Sequence, residues 1–186
     1  MTDCIFCKIA NGEIPAKKIY EDQKFLAFLD VNPRAAGHCL VIPKRHAATL
    51  SDISQEDAGH MFQIVRYLAK MIIERMGAKG YNVGSNNGEA AGQVVAHLHI
   101  HIIPRYDTDK HKAGFEAAFQ VSEDAKKDID KTLSAITRGS ILPPVKIASS
   151  AVRVPEAAKE GEPDKKEGPK WCFNDEDNIG DDIIEY

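Results

Sequence analysis

Residues 97–103 read HLHIHII, three histidines at alternate positions with apolar residues between them. A strand turns successive side chains to opposite faces, so this period fits a strand and not a helix. His97, His99 and His101 then share one face, about 6.8 Å apart along the chain. Leu98, Ile100 and Ile102 form the other face and pack on a core. A solvated polar face accounts for one such histidine but not for three in strict register. The strand is expected from about Val94 to Ile103, with Pro104 stopping it. A fourth histidine, His38, opens the segment GHCLVIPKRH.

The surrounding pattern fixes the fold class. Lys18 to Asp22 and Phe25 to Asp30 are strand-like with a turn between them, and Cys39 to Pro43 is a short β-rich run. A helix begins at Asp52 or Ser54. SQED gives a capping-box-like start, and Met61, Ile64, Val65, Leu68, Ile72 and Met76 repeat at helical spacing until Gly77. Tyr81 to Gly84 forms another strand, and Cys4 to Gly12 a short apolar turn or helix. Strands, one long helix and strands in that order imply an α+β domain on a mostly antiparallel sheet. After Arg105 the character changes. Ser122 to Thr137 forms an amphipathic helix through Ala125, Ile129, Leu133 and Ile136, and residues 139–170 lack any apolar period. The expected division is a folded domain over 1–110, a helical extension over 111–139, and a disordered linker with an acidic C-terminal tail over 140–186.

Charge excludes some functions. Residues 140–186 carry 6 Lys/Arg and 11 Asp/Glu, while the whole chain carries 24 and 28. Neither part has the basic excess of a nucleic-acid binder. No apolar run approaches a membrane span, and the N-terminus lacks an export signal, so a cytoplasmic location is expected. The aromatic and Ile-bearing end, WCFNDEDNIGDDIIEY, reads either as a docking peptide for a protein partner or as a solvated tail.

Two constellations carry chemistry. Cys4 and Cys7 have the spacing that lets two thiolates reach one ion, and two further ligands close a tetrahedral Cys2His2 zinc site. His46, His60, His97 and His111 are the candidates. If the strands carrying His38 and His97 pair, His46 and His97 both approach the N-terminal turn. A redox pair or two buried thiols remain open at this point. The second constellation is SNNGEAAGQVV, whose glycines and carboxamides precede the histidines. Such a loop aims backbone N–H groups at an anion. It lacks the lysine and hydroxyl of a Walker loop and the spacing of a dinucleotide turn. Beside it, a neutral imidazole can attack phosphorus.

These segments together resemble the histidine triad (HIT) nucleotide-binding proteins. CIFCKIANGEIPAKKIYED, FLAFLD, GHCLVIPKRH, NNGEAAGQ and HIIPR occur in the family's order, and HLHIHII matches its signature; the resemblance covers about Asp3 to Arg105 and is nearest to the bacterial Hint-like branch. It implies a HIT-like fold with a five-stranded, mostly antiparallel sheet and a homodimer formed across a two-fold axis. The implied activity is hydrolysis or transfer of nucleoside phosphoramidates, or of related nucleoside phosphate anhydrides and esters. His99 is implied as the nucleophile that forms a nucleotidyl-histidine, with His101 and His38 hydrogen-bonded around it. Asn86, Gly92, Gln93 and the Val94 amide are implied on the phosphate side, Asp30 on the ribose, and Phe6, Ile9, Phe28, Val31 and Leu40 around a purine base. Structural zinc is implied at Cys4, Cys7, His46 and His97. The sequence departs from the pattern at Val94, where Ser or Thr is frequent, and at Ala96, where an aromatic residue is common. Two other readings stand beside it. One is a nucleotide-binding regulatory or scaffold protein acting through its tail. The other is a metallohydrolase with zinc on His97, His99 and His101, which one straight strand makes awkward.

Overall fold

A computed structural model describes residues 3–109, 121–139 and 141–144. Nine elements larger than a single 3-10 turn follow one another among these residues: α1 (Ile5–Ala10), β1 (Lys18–Glu21), β2 (Phe25–Leu29), β3 (Cys39–Pro43), α2 (Gln55–Met76), β4 (Gly80–Gly84), β5 (Ile100–Arg105), α3 (Glu123–Lys127) and α4 (Ile129–Thr137). The five strands form one sheet in the order β1-β2-β3-β5-β4, and every neighbouring pair is antiparallel. The α+β expectation holds.

Local chemistry places the ends. The β1–β2 turn is held by Asp22, whose carboxylate accepts from the backbone N–H groups of Lys24 and Phe25. The Ser54 hydroxyl caps α2 by accepting from the Asp57 N–H, and Gly77 closes that helix at φ 70°, a left-handed conformation that glycine adopts without strain. The triad strand differs from its expectation at both ends. Residues 94–97 are bent, and β5 starts only at Ile100. Its pairing with β3 begins there, at Val41↔Ile100. Leu98 instead donates its N–H to the Ala47 carbonyl. Pro104 does not stop the strand. It pairs with Tyr81 of β4, beyond the last β3 pair at Cys39↔Ile102, where β5 has a strand on one side only.

Strand alternation divides the interior into two layers. Phe25, Ala27, Leu29, Cys39, Val41, Leu98, Ile100 and Ile102 face α2 and join Met61, Ile64, Val65, Leu68 and Ile72 in the main core. Leu26, Phe28, Leu40 and Ile42 face the other way and pack under Phe6 and Ile9 of α1. The expected C-terminal helix is two helices, broken at Asp128 and capped by Ser122. Ile136 is buried in the main core, with Ile129 and Leu133 packed against it. Leu142, which the sequence reading assigned to the linker, is also in that core and donates its N–H to the Ile19 carbonyl. The rest of the expected linker and tail, from residue 145, lies outside the described residues, as does His111.

Candidate active site and metal centre

Four donors gather where α1 meets the bend before β5. Cys4 and Cys7 come from α1 and the residue before it, His46 from the turn after β3, and His97 from the bend. Their ligand atoms all lie within 4.8 Å of one another. Cys4 Sγ is 3.4 Å and Cys7 Sγ 3.5 Å from His97 Nδ1, and Cys7 Sγ is 3.3 Å from His46 Nδ1. A tetrahedral ion with metal–sulfur bonds near 2.3 Å and metal–nitrogen bonds near 2.0 Å needs edges of about 3.5 Å. These three separations match the edges of such a tetrahedron. His97 Nε2 is 2.9 Å from the Pro43 carbonyl, to which it donates, leaving Nδ1 as a lone pair toward the sulfurs. Burial lowers the pKa of His97, which keeps it a neutral ligand. Of the other two histidine candidates, His60 packs against Phe25 and Asp22 on the opposite side of the sheet.

The remaining triad histidines line a cleft of about 770 Å³ on the α1 side of the sheet. His99 is 7% exposed, and its Nδ1 donates to the His97 carbonyl at 2.7 Å. That bond fixes the tautomer, so Nε2 carries the lone pair. The Phe6 ring stands edge-on to it, with centroids 5.3 Å apart. His101 lies beside His99 at 5.0 Å between ring centroids. Behind it, His38 is fully buried, with Nε2 3.0 Å from His101 Nδ1. The Arg34 N–H donates to His38 Nδ1 at 3.2 Å, so His38 Nε2 carries the proton and donates to His101. His101 then presents an N–H at its outer nitrogen. Burial pushes both imidazoles down to about 3, helped at His38 by the Arg34 and Arg105 charges and at His101 by its histidine neighbours. The pair is therefore neutral at ordinary pH.

Most residues expected around a nucleotide do meet in this cleft: Phe6, Ile9, Phe28, Asp30, Val31 and Leu40 on one side, and Asn86, Gly92 and Val94 on the other. Asp30 has one oxygen accepting from the Asn32 N–H and the other 3.5 Å from His38 Nδ1. Asn86 donates to the Gly92 carbonyl and closes its loop. Gln93 is not brought into the lining. Its carboxamide accepts from the Gly88 N–H and donates to the Ala48 and Val95 carbonyls, so it braces the loop from behind. The sequence reading missed Ile14, Pro15, Ala16, Arg34 and Val121 as lining residues. A loop arginine or a proline before a strand carries no periodic signal, and Val121 arrives from a distant part of the chain.

This is a sheet-borne histidine pair with a lone-pair imidazole in a nucleotide-sized cleft. Residues 11–108 match the HIT domain family, and the chain belongs to that family. Among its relatives is an adenosine 5'-monophosphoramidase of Schizosaccharomyces pombe, 47% identical over 102 residues that cover 55% of this chain and 74% of that protein. Another is an adenylylsulfatase of Arabidopsis thaliana, 46% identical over 107 residues, 58% of this chain and 54% of that one. Among solved structures, a zinc-bound histidine triad family protein from Mycobacterium smegmatis superposes with a TM-score of 0.62 at 36% identity, covering 73% of this chain and 94% of that one. Hydrolases of adenylyl compounds are thus present at the family level. Among the described residues no helix is long and apolar enough to cross a membrane.

Proposed function

We propose that this protein hydrolyses or transfers nucleoside 5′-phosphoryl compounds, phosphoramidates or phosphate anhydrides and esters, through a nucleotidyl group held on His99. The observation that carries this reading is the hydrogen bond from His99 Nδ1 to the His97 carbonyl, which leaves the Nε2 lone pair in the cleft. Nε2 attacks the α-phosphorus, a P–N(His) bond forms, and the bond to the leaving group breaks with its electron pair. Water then attacks the same phosphorus, the pair of the P–N bond returns to Nε2, and nucleoside monophosphate leaves. The chain from the Arg34 N–H through His38 to His101 orients the outer N–H of His101 toward the phosphoryl oxygens. Asp30 accepts the ribose hydroxyls. A purine base lies among Phe6, Ile9, Phe28, Val31 and Leu40, and Asn86, Gly92 and the Val94 amide face the phosphate.

Cys4, Cys7, His46 and His97 hold structural zinc in this reading, and the gathering of their donors within 4.8 Å, three of the separations being 3.3–3.5 Å, supports it. Zinc there ties α1, and with it Phe6, to the bend that leads into His99. A homodimer would use the exposed Tyr81 of the edge strand β4 and Phe62 of α2. The test of the reaction is mass spectrometry of protein quenched during turnover of a slow adenosine 5′-phosphoramidate. An adenylyl adduct on His99 is expected. Turnover with no protein adduct, or an adduct elsewhere, overturns the reading.

A further inference from the structure

The turn between β2 and β3 is fastened from the far end of the strand that carries His101. At its neck the Asp30 N–H donates to the His38 carbonyl at 3.0 Å. Inside it the His38 N–H donates to the Ala35 carbonyl at 3.0 Å, and the Arg34 N–H reaches back to His38 Nδ1. Ala36 and Gly37 lie between those contacts. The hydroxyl of Tyr106, one residue past β5, donates to the Ala36 carbonyl at 2.8 Å. The Tyr106 side chain packs against Ala35 and Ile103, and its backbone N–H donates to the Asp109 carboxylate. Burial, with the Asp109 charge, pushes Tyr106 up to about 12, so the hydroxyl keeps its proton and stays a donor. Gly37 sits at φ 87°, where a methyl would stand 3.1 Å from Pro104 Cγ and 3.3 Å from Ile72 Cγ2. Pro104 and Tyr106 thus grip the turn that meets His101, on their own strand, through His38 Nε2.

We infer that Tyr106 is a positioning residue for the reaction: its hydroxyl pins the turn that sets the tautomer of His38, and through His38 the direction of the N–H on His101. The inference rests on the nucleotidyl-transfer reading above. A neutral imidazole carries its proton on either nitrogen, and its partners choose which. Two groups compete at His38 Nδ1. The Arg34 N–H, 3.2 Å away, requires a lone pair there, whereas the Asp30 carboxylate, 3.5 Å away, would accept a proton from it. With the turn held, Arg34 prevails, His38 donates from Nε2, and His101 keeps its proton on the outer nitrogen, aimed at a phosphoryl oxygen. With the turn released, the Nδ1 proton goes to Asp30, His38 Nε2 becomes an acceptor, and His101 turns its own proton inward. Its outer lone pair then faces the phosphoryl oxygens and repels them. Tyr106 does not line the cleft, and Asp30 is fixed at the neck independently of it, so the effect falls on the chemical step and not on nucleotide affinity.

The test is Tyr106→Phe in the full chain, which removes one hydroxyl and keeps the ring's packing. Imidazole spectra of ¹⁵N-labelled, substrate-free protein near neutral pH should show His38 of the wild type as a single Nε2–H tautomer. In the variant the two nitrogen resonances of His38 should draw together, the mark of mixed tautomers. With adenosine 5′-phosphoramidate, kcat should fall about three- to tenfold, the worth of one neutral hydrogen bond, while KM stays within about twofold. A fall in kcat with the His38 spectrum unchanged would make the contact merely structural. Mixed tautomers with wild-type kcat would show that the tautomer does not matter to the reaction. Either overturns the inference, as does an Nδ1–H tautomer in the wild type. Should the thermal transition show that Tyr106→Phe does not fold, Gly37→Ala pushes the same turn off Pro104 and is held to the same two readouts. The spectra need no substrate, so absence of a His99 adduct in the wild type sinks the reaction alone and leaves the tautomer result standing.

Discussion

The two faces of the sheet are built from the same strands and do opposite work. Toward α2, Leu98, Ile100 and Ile102 alternate into a dry core that includes Met61, Ile64 and Leu68. Toward α1, the intervening positions are His97, His99 and His101, with His38 on the neighbouring strand end. The apolar face gains free energy for each side chain taken from water. The histidine face gives some back, because desolvation holds His38 and His101 neutral far below their ordinary range. Stability resides on one face and the proposed reactivity on the other, a residue apart.

Adjacent substitutions should separate them most sharply. His99→Ala should lower turnover at least about 1,000-fold, since the proposed covalent step uses the His99 lone pair, while AMP affinity and the thermal transition stay close to wild type. Ile100→Ala, one residue on and 1% exposed, should do the reverse. It should cost about 2–5 kcal/mol in denaturant unfolding and leave turnover per folded molecule nearly unchanged. Near-normal turnover in His99→Ala would remove the division between the faces.

In the proposed reading, a zinc ion on Cys4, Cys7, His46 and His97 stiffens this side, where α1 contributes only Phe6 and Ile9 to buried packing. Elemental analysis should find about one zinc per chain, and Cys7→Ser should lose it, with a fall in stability of several kcal/mol. Turnover should fall as well, because Phe6 and the His97 carbonyl both touch His99. Metal-free protein of undiminished stability would contradict this.

Acid should act on the histidine face before the core. The pKa values of His38 and His101 are lowered to about 3 in the fold against an ordinary 6.5. Between those values the unfolded chain binds more protons than the native one, so stability falls as pH falls from about 6.5 toward 3. The His38→Asn, His101→Asn double variant should lose less of its melting temperature over that window than the wild type. Parallel pH curves for the two proteins would show that these imidazoles are not held neutral by burial.

Much of this contrast was legible in the residues. Periodicity gave the α2 face, Gly77 gave its end, its start was narrowed to Asp52 or Ser54, and the alternation of HLHIHII placed histidines and aliphatics on opposite sides. Cys4, Cys7, His46 and His97 came together as the family resemblance implies. What the pattern could not show was local geometry set by partners. The triad begins in a bend because Leu98 bonds to the Ala47 carbonyl, and β5 joins β3 only from Ile100. Gln93 spends its carboxamide on backbone, and Arg34 reaches the cleft from a loop, neither of which has a sequence period.

The smallest expected effect concerns where the dry face ends. Its last described contributor is Leu142, 3% exposed, which bridges to Tyr20 in parallel and donates to the Ile19 carbonyl. Ending the chain after Ser140 removes that side chain and that bond. The loss should be about 2–3 kcal/mol of stability, mostly from uncovering apolar surface at the β1 edge. Ending it after Pro144 keeps both and should leave the thermal transition where it is. Neither truncation removes a described residue of the cleft lining, so zinc content and turnover of small nucleotide substrates should match the full chain in both. Leu142→Ala in the full-length protein separates the buried side chain from the hydrogen bond, and should reproduce most of the loss seen after Ser140. Loss of turnover on truncation after Pro144 would mean that the acidic tail belongs to the reactive face, and that the two faces of the sheet do not account for the whole catalytic unit.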